Sequence, residues 1–196
     1  MVNRIDVAQL EGPPGLQSDV SPKQRAVLRL CNIGRGEPSK RQDLAIRVWH
    51  ALHDLTPSQL LLIGSLSDAA TEALDSLPAS VREDVIVRGY IPQAGRLLSD
   101  VSVTLATSSR EGLPGVVLES LALGTPVVCS DIPGNAWIAS QVSGVILVPV
   151  NASVNVWVAA IMAGIAEDRG SIRRSFAQSV FASDNVLESY RVAWTA

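Results

Sequence analysis

Cysteine is nearly absent from this chain. Cys31 and Cys129 are the only two in 196 residues, and each sits inside an apolar run, Val-Leu-Arg-Leu-Cys-Asn and Pro-Val-Val-Cys-Ser. Such thiols are expected to be free and buried in central strands, which sets aside a disulfide framework or a thiolate metal site and points to a reducing compartment. No apolar stretch approaches the roughly 20 residues that cross a bilayer, and no basic leader with an apolar segment behind it opens the sequence, so a cytoplasmic chain is expected. Charge is scarce too. Asp, Glu, Lys and Arg make up 18% of the residues, with a formal net charge of −3 and a pI near 5.4. That excludes the broad cationic field of a general nucleic-acid binder, and any anion site must be local. Asp-X-Asp, a common element for holding a divalent ion, does not occur. What is plentiful is apolar side chain, 47% of residues, with a mean hydropathy of +0.25. A chain this long fits one domain that buries roughly 70% of its unfolded surface, so disorder is excluded.

Short apolar runs alternate with segments of helical periodicity. Strands are predicted at 27–32, 60–63, 85–88, 101–106, 126–129 and 145–148. Helices are predicted at 42–55, with Leu44, Val48, Ala51 and Leu52 on one face, and at 68–77, 94–98, 115–123 and 154–165, with a mainly helical tail from Ser171. Strand and helix in alternation imply parallel crossovers. The expected fold is therefore a doubly wound, Rossmann-like α/β sheet with helices on both faces, occupying residues 25–182 after a turn-rich entry segment over 1–24 and before a C-terminal helix over 183–196.

Ligands of such sheets sit beyond the carboxyl ends of the strands. Two loops fall at that edge. One, after the first strand, is Gly34-Arg-Gly-Glu-Pro-Ser-Lys40; the other, after the fourth, leads into Glu111-Gly-Leu-Pro-Gly-Val-Val-Leu-Glu119. The second places two carboxylates on either side of a glycine-bearing turn that opens a helix, where free amides and the helix dipole favour an anion such as a diphosphate. Glu119, one turn inside, is placed to accept hydrogen bonds from paired ribose hydroxyls, and Glu111 faces the space of a transferred sugar. The plainer reading is that Glu111 complements the dipole and Glu119 is a solvated helix residue; Arg35 and Lys40 alone could equally be surface ion-pair partners. His50 and His53 are expected in packing or surface roles. Trp49, Trp157 and Trp194 lie in apolar helical stripes and are expected in the core rather than as sugar platforms.

In four places the sequence resembles the C-terminal, donor-binding domain of GT-B fold glycosyltransferases of family 4, a group of retaining enzymes. Val2-Asn-Arg-Ile-Asp6 is similar to the Asn-Gly-Ile-Asp with which that family leaves its N-terminal domain, with Arg4 in place of glycine. Gly34-Arg35 with Lys40 matches its Gly-Arg, four-residue gap, Lys. Glu111 and Glu119 match its Glu, seven residues, Glu, and Leu121-Ala-Leu-Gly-Thr-Pro-Val-Val-Cys-Ser-Asp131 its continuation. Two departures stand out. Many members have Glu-Gly-Phe-Gly-Leu-Pro where this chain has Glu-Gly-Leu-Pro-Gly, and Trp137 stands near a frequent acidic position in what is expected to be a loop after Asp131.

The resemblance implies a set of roles. Glu111, Arg35 and Lys40 would be catalytic, the two cations neutralising the donor diphosphate with Gly34 and the backbone of Leu113, Pro114, Gly115 and Val116 completing the cradle. Glu119 would grip the ribose, and the backbone around Tyr90 and Ile91 would read the base. The donor would be a nucleotide diphosphate sugar, a UDP-sugar by default and GDP-mannose next, with no metal or other cofactor. The acceptor would be a glycan or lipid-linked molecule of the cell envelope, held by a missing N-terminal domain that could also bring the chain to the inner face of the membrane; no nucleic acid is implied. Without that domain the chain would bind its donor without catalysing. Two other readings stay open: a non-catalytic docking module for a separately encoded N-terminal partner, and a relative of sugar-nucleotide epimerases, which would want a His near Glu111.

Overall fold

The predicted apolar runs become six strands in a computed structural model that describes residues 27–182: β1 (Leu28–Ile33), β2 (Ser58–Ile63), β3 (Val85–Arg88), β4 (Val103–Ala106), β5 (Val127–Ser130) and β6 (Val145–Val148). All pair in parallel in the order β3-β2-β1-β4-β5-β6. This is the doubly wound Rossmann-like sheet expected from the alternation. The entry segment expected over 1–24, with the Asn3 to Asp6 motif, and the helix expected over 183–196, with Trp194, lie outside the described residues.

Side chains on a strand alternate between faces, and the core divides accordingly. Leu30, Leu60, Leu62, Val103, Leu105, Val128 and Val148 join one cluster with α1 (Gln42–His53), α2 (Asp68–Asp75) and α6 (Val154–Ile165). Their neighbours Cys31, Leu61 and Ile63 face the other way, against the 3-10 run Ala94–Asp100. On that second face Val127 and Cys129 meet α4 (Gly115–Ala122), α5 (Pro133–Gln141) and α7 (Arg169–Ala177). Trp49 on α1 and Trp157 on α6 are fully buried, as the apolar stripes predicted. Every residue of β2 is buried, which suits a strand covered on both faces.

Three assignments change. Residues 79–82 form a short helix, α3 (Ala79–Arg82), with no counterpart among the predicted elements. The segment after Asp131, expected as a loop, is instead α5: Pro133 stands in its first turn, where a missing N–H costs nothing, and Gly134 and Asn135 are buried. The tail helix stops at Ala177 and gives way to turns through Ala182.

The chain runs β1 to β2 to β3 in one direction along the sheet, then returns to β4 on the far side of β1. Helix α1 crosses on one face and α4 on the other, as right-handed crossovers in opposite directions require. The crevice of such a sheet opens at the carboxyl ends of the two strands where the order reverses, here β1 and β4.

Candidate functional site

The loops leaving β1 and β4 are stapled to each other. The amide of Ser109 donates to the carbonyl of Ser39 at 2.8 Å, and the Thr107 hydroxyl lies 2.9 Å from the carbonyl oxygens of both Lys40 and Arg41. Arg41 has a left-handed backbone, φ 49°, and anchors the turn by donating Nη1 to the Val150 carbonyl at 2.8 Å. Beneath, the Gly34 amide donates to Ile63 at 3.0 Å. A Cβ on Gly64, whose φ is +107°, would lie 1.9 Å from the Gly34 carbonyl oxygen, so only glycine fits at that crossing.

Between the stapled loops lies a cleft of about 110 Å³. Lys40 enters from the first loop, its stem lying 3.6 to 3.8 Å from the place a Cβ would occupy on Gly34. Its ammonium pairs directly with Oε1 of Glu111, both side chains being about four-fifths buried. Ser108 donates its hydroxyl to the same Oε1 at 2.8 Å. One carboxylate oxygen thus receives both a cation and a hydroxyl, which fixes Glu111 at the mouth of the cleft.

The opposite wall is the start of α4. Leu113, Pro114, Gly115, Val116 and Val117 line it. Pro114 precedes the helix with no side-chain cap and no acidic residue stands in the first turn, so the amides ahead of the first intrahelical bond, Leu118 to Pro114 at 3.4 Å, are left to the cleft. Asn32, Ile33 and Ala106 from the strand ends, with Asn135 of α5, complete the lining. α5 comes in close. A Cβ on Gly134 would stand 2.0 Å from the Gly112 carbonyl oxygen, a contact open only to glycine.

The residues singled out in the sequence therefore separate. Lys40, Glu111, Leu113, Pro114, Gly115 and Val116 share the cleft. Arg35 is in the same loop as Lys40, but its guanidinium is 79% exposed and pairs with Glu37 at 3.1 Å. Glu119 does not line the cleft. Its carboxylate folds back along α4, Oε1 3.9 Å from where a Cβ on Gly115 would be, and burial raises its pKa above the ordinary glutamate value. Tyr90 is 87% exposed beyond β3, two strands from β1, and Ile91 packs against the cluster of Cys31 and Leu61. Neither reaches the cleft. Trp137 is half-exposed and meets Phe181 edge-on at 4.9 Å.

Three polar residues of the site escaped the sequence reading, Ser108, Asn32 and Asn135, as did the apolar Ile33, Ala106 and Val117. Ser108 lies three residues before Glu111, a spacing that could have flagged it, but both asparagines bond to strand-end backbone, which no local pattern discloses. The histidines sit elsewhere on α1, His53 contacting Ser58 and the Trp49 ring. Both cysteines are free and fully buried. Burial pushes the Cys31 thiol far up, and burial with the nearby Asp131 carboxylate pushes Cys129 up to about 12. Among the described residues no three His, Cys, Asp or Glu side chains converge as metal ligands, and no helix is long and apolar enough to cross a membrane.

Residues 28–167 match the family model described as Glycosyl transferases group 1. No curated protein matches the chain by sequence. Among solved structures it is similar to sucrose-phosphate synthase from Thermosynechococcus elongatus (TM-score 0.75, 20% identity, 98% of this chain and 51% of that one). It is likewise similar to a point mutant of S. aureus TarM in complex with Fondaparinux, alpha-GlcNAc-glycerol and UDP (TM-score 0.71, 18% identity, 99% and 38%). A third is HepE of Anabaena in complex with UDP-glucose (TM-score 0.71, 18% identity, 97% and 56%). At these identities the likeness is one of fold, and the chain spans between 38% and 56% of the three proteins' lengths.

Proposed function

The chain belongs to the glycosyl transferases group 1 and forms a glycosyltransferase domain with one Rossmann-like half of the GT-B fold, and from that premise we propose that it is the nucleotide-sugar binding domain of a retaining enzyme. It takes a hexose as its nucleotide diphosphate and passes it to a glycan or lipid-linked acceptor held by the N-terminal domain, in building cell-envelope polysaccharide on the cytoplasmic side of the membrane. UDP is the first choice of nucleotide, from the family resemblance and from the UDP and UDP-glucose carried by two of the similar structures.

One observation carries the reading: Lys40, Glu111 and the uncapped start of α4 meet in a single cleft at the point where strand order reverses. A diphosphate fits the donor side of that cleft. As the glycosidic bond breaks, negative charge develops on the leaving diphosphate, and an ammonium and helix-end amides aimed at it stabilise the transition state more than the ground state. Lys40 has three donors, so it can keep Glu111 and still serve a phosphate oxygen. Glu111, held by Lys40 and Ser108, presents its carboxylate to the sugar. Arg35 serves the diphosphate after leaving Glu37, Glu119 serves the ribose and the backbone after β3 the base. The positive charge in this scheme is borne by the protein and needs no metal.

The test is titration of the chain with UDP, GDP and ADP by calorimetry, with and without EDTA. Half of a two-domain cleft should bind at about the millimolar level, roughly 4 kcal/mol, with no change on chelation. If none of the three nucleotides binds, the reading is wrong.

A further inference from the structure

Glu111 is held by two donors of unequal mobility. Lys40 and Ser108 both meet its Oε1. The lysine reaches it from the end of a four-carbon stem that lies along Gly34, and its ammonium turns about the last bond with three N–H groups to share. Ser108 has no such reach. It is 7% exposed, and the residues on both sides of it are tied to the other loop. The Thr107 hydroxyl lies 2.9 Å from the Lys40 and Arg41 carbonyl oxygens, and the Ser109 amide donates to the Ser39 carbonyl at 2.8 Å. With one side-chain torsion ahead of its oxygen, Ser108 offers a hydroxyl whose place is set by stapled backbone.

That difference tells once an anion enters. Lys40, Ser108 and Glu111 line the same cleft as the start of α4, so a diphosphate at the α4 amides draws on the ammonium that also serves Glu111. The carboxylate then loses part of its countercharge and gains a like charge beside it. Tethered by lysine alone, it either retains the ammonium against the phosphate or swings on its own torsions. The first course weakens the hold on the ligand, and the second takes the carboxylate away from its place at the mouth of the cleft. A second donor fixed in position removes both.

We infer that Ser108 is a positioning residue that keeps Glu111 in place while the diphosphate takes up Lys40, and so lets one lysine serve two anions. The inference rests on the donor-binding reading above and goes further in assigning control of the Lys40–Glu111 pair to a hydroxyl already committed to the carboxylate. Ser108 acts through Glu111, so its effect on the ligand vanishes where there is no carboxylate to hold.

The experiment titrates UDP by calorimetry into the full chain, Ser108→Ala, Glu111→Gln and the double variant, with the urea midpoint of each as a check on its fold. Ser108→Ala should weaken UDP roughly three- to tenfold in the parent background, because a hydrogen bond to a charged acceptor is lost. In the Glu111→Gln background the same substitution should change affinity by less than about twofold, so the two changes are not additive. Glu111→Ala, run in parallel, removes the acceptor altogether and should give the same near-null result; a purely structural role in the loop would not distinguish these backgrounds. The inference is overturned if Ser108→Ala binds UDP as the parent does, or if its loss is as large without the carboxylate as with it. A Ser108→Ala chain that no longer folds also counts against it, since the hydroxyl would then serve the fold rather than the ligand. In each of those cases binding of UDP to the parent leaves the donor-site reading standing; failure of UDP, GDP and ADP alike to bind the parent would remove both.

Discussion

Replacing Gly134 by alanine should damage both the fold and the site, while the same change at Gly112, which it touches, should do neither. A Cβ on Gly134 would stand 2.0 Å from the Gly112 carbonyl oxygen, 3.1 Å from its carbonyl carbon and 3.4 Å from the Glu111 carbonyl oxygen. Ordinary contact begins near 3.4 Å, so one backbone must retreat by roughly 1.4 Å, and a close-packed interior offers no flexible side chain to swing aside. If the loop retreats, Glu111 leaves Lys40 and Ser108; if α5 retreats, Asn135 leaves Ser130. Overpacking of this kind costs about 1–3 kcal/mol. A misplacement near 1 Å is worth about a hundredfold in a positioned reaction, and nucleotide binding, which uses only part of that geometry, should weaken by about tenfold. At Gly112 a Cβ would meet nothing within 4 Å and the backbone is not left-handed, so Gly112→Ala should stay within about 0.5 kcal/mol of the parent. Urea unfolding and UDP titration measure the two effects. A Gly134→Ala chain with the parent's midpoint and affinity, or a Gly112→Ala chain equally harmed, would refute the reasoning.

Three further outcomes are expected. Lys40→Ala should weaken UDP binding by roughly tenfold or more, because a charge-assisted bond in a partly buried site is lost, whereas Arg35→Ala, whose partner lies in solvent, should cost under roughly fivefold; equal losses in calorimetry would contradict the geometry. Burial raises the Glu119 pKa in the folded chain, so its contribution to stability is fully present below the unfolded value and is lost as pH rises through the folded one. Glu119→Gln should therefore gain stability relative to the parent as pH rises from near 4.5, and a difference in urea midpoint that ignores pH would count against it. Cys31 and Cys129, buried with raised pKa values, should resist a disulfide-exchange reagent in the native chain at about pH 8 and react in urea, rapid native labelling of either being the contrary result.

Elements whose hydrophobic period matches their surroundings were legible in the sequence. β3, β6 and α6 fall at their predicted bounds, because short Val and Ile runs or a Trp157 and Ile161 stripe admit one reading. α5 was not legible. Pro133 and Gly134 read as turn residues, and what makes them helical is tertiary: the Gly134 contact with Gly112 and the burial of Asn135. In the site, Lys40 and Glu111 were found through the family motifs they resemble, and the staples that bring them together could not be. Thr107 reaches Lys40 and Arg41 across a gap of more than sixty residues, through backbone atoms that carry no sequence signature. The positions of Arg35 and Glu119 off the cleft follow from side-chain direction. A helix points Glu119 back toward its own first turn, and Glu37 lies within reach of Arg35.

The seam between β1 and β4 bears on how the chain folds. Leu30 pairs with Val103 and Cys31 with Thr104, partners 73 residues apart, whereas β1, β2 and β3 pair with nearer neighbours in sequence. Loop closure therefore delays the seam relative to the three strands before it. The cleft has no existence until that late step, since its walls belong to the two sides of the seam. A nucleotide held there would clamp the last-formed joint, so its binding energy should appear as resistance of the whole sheet to unfolding.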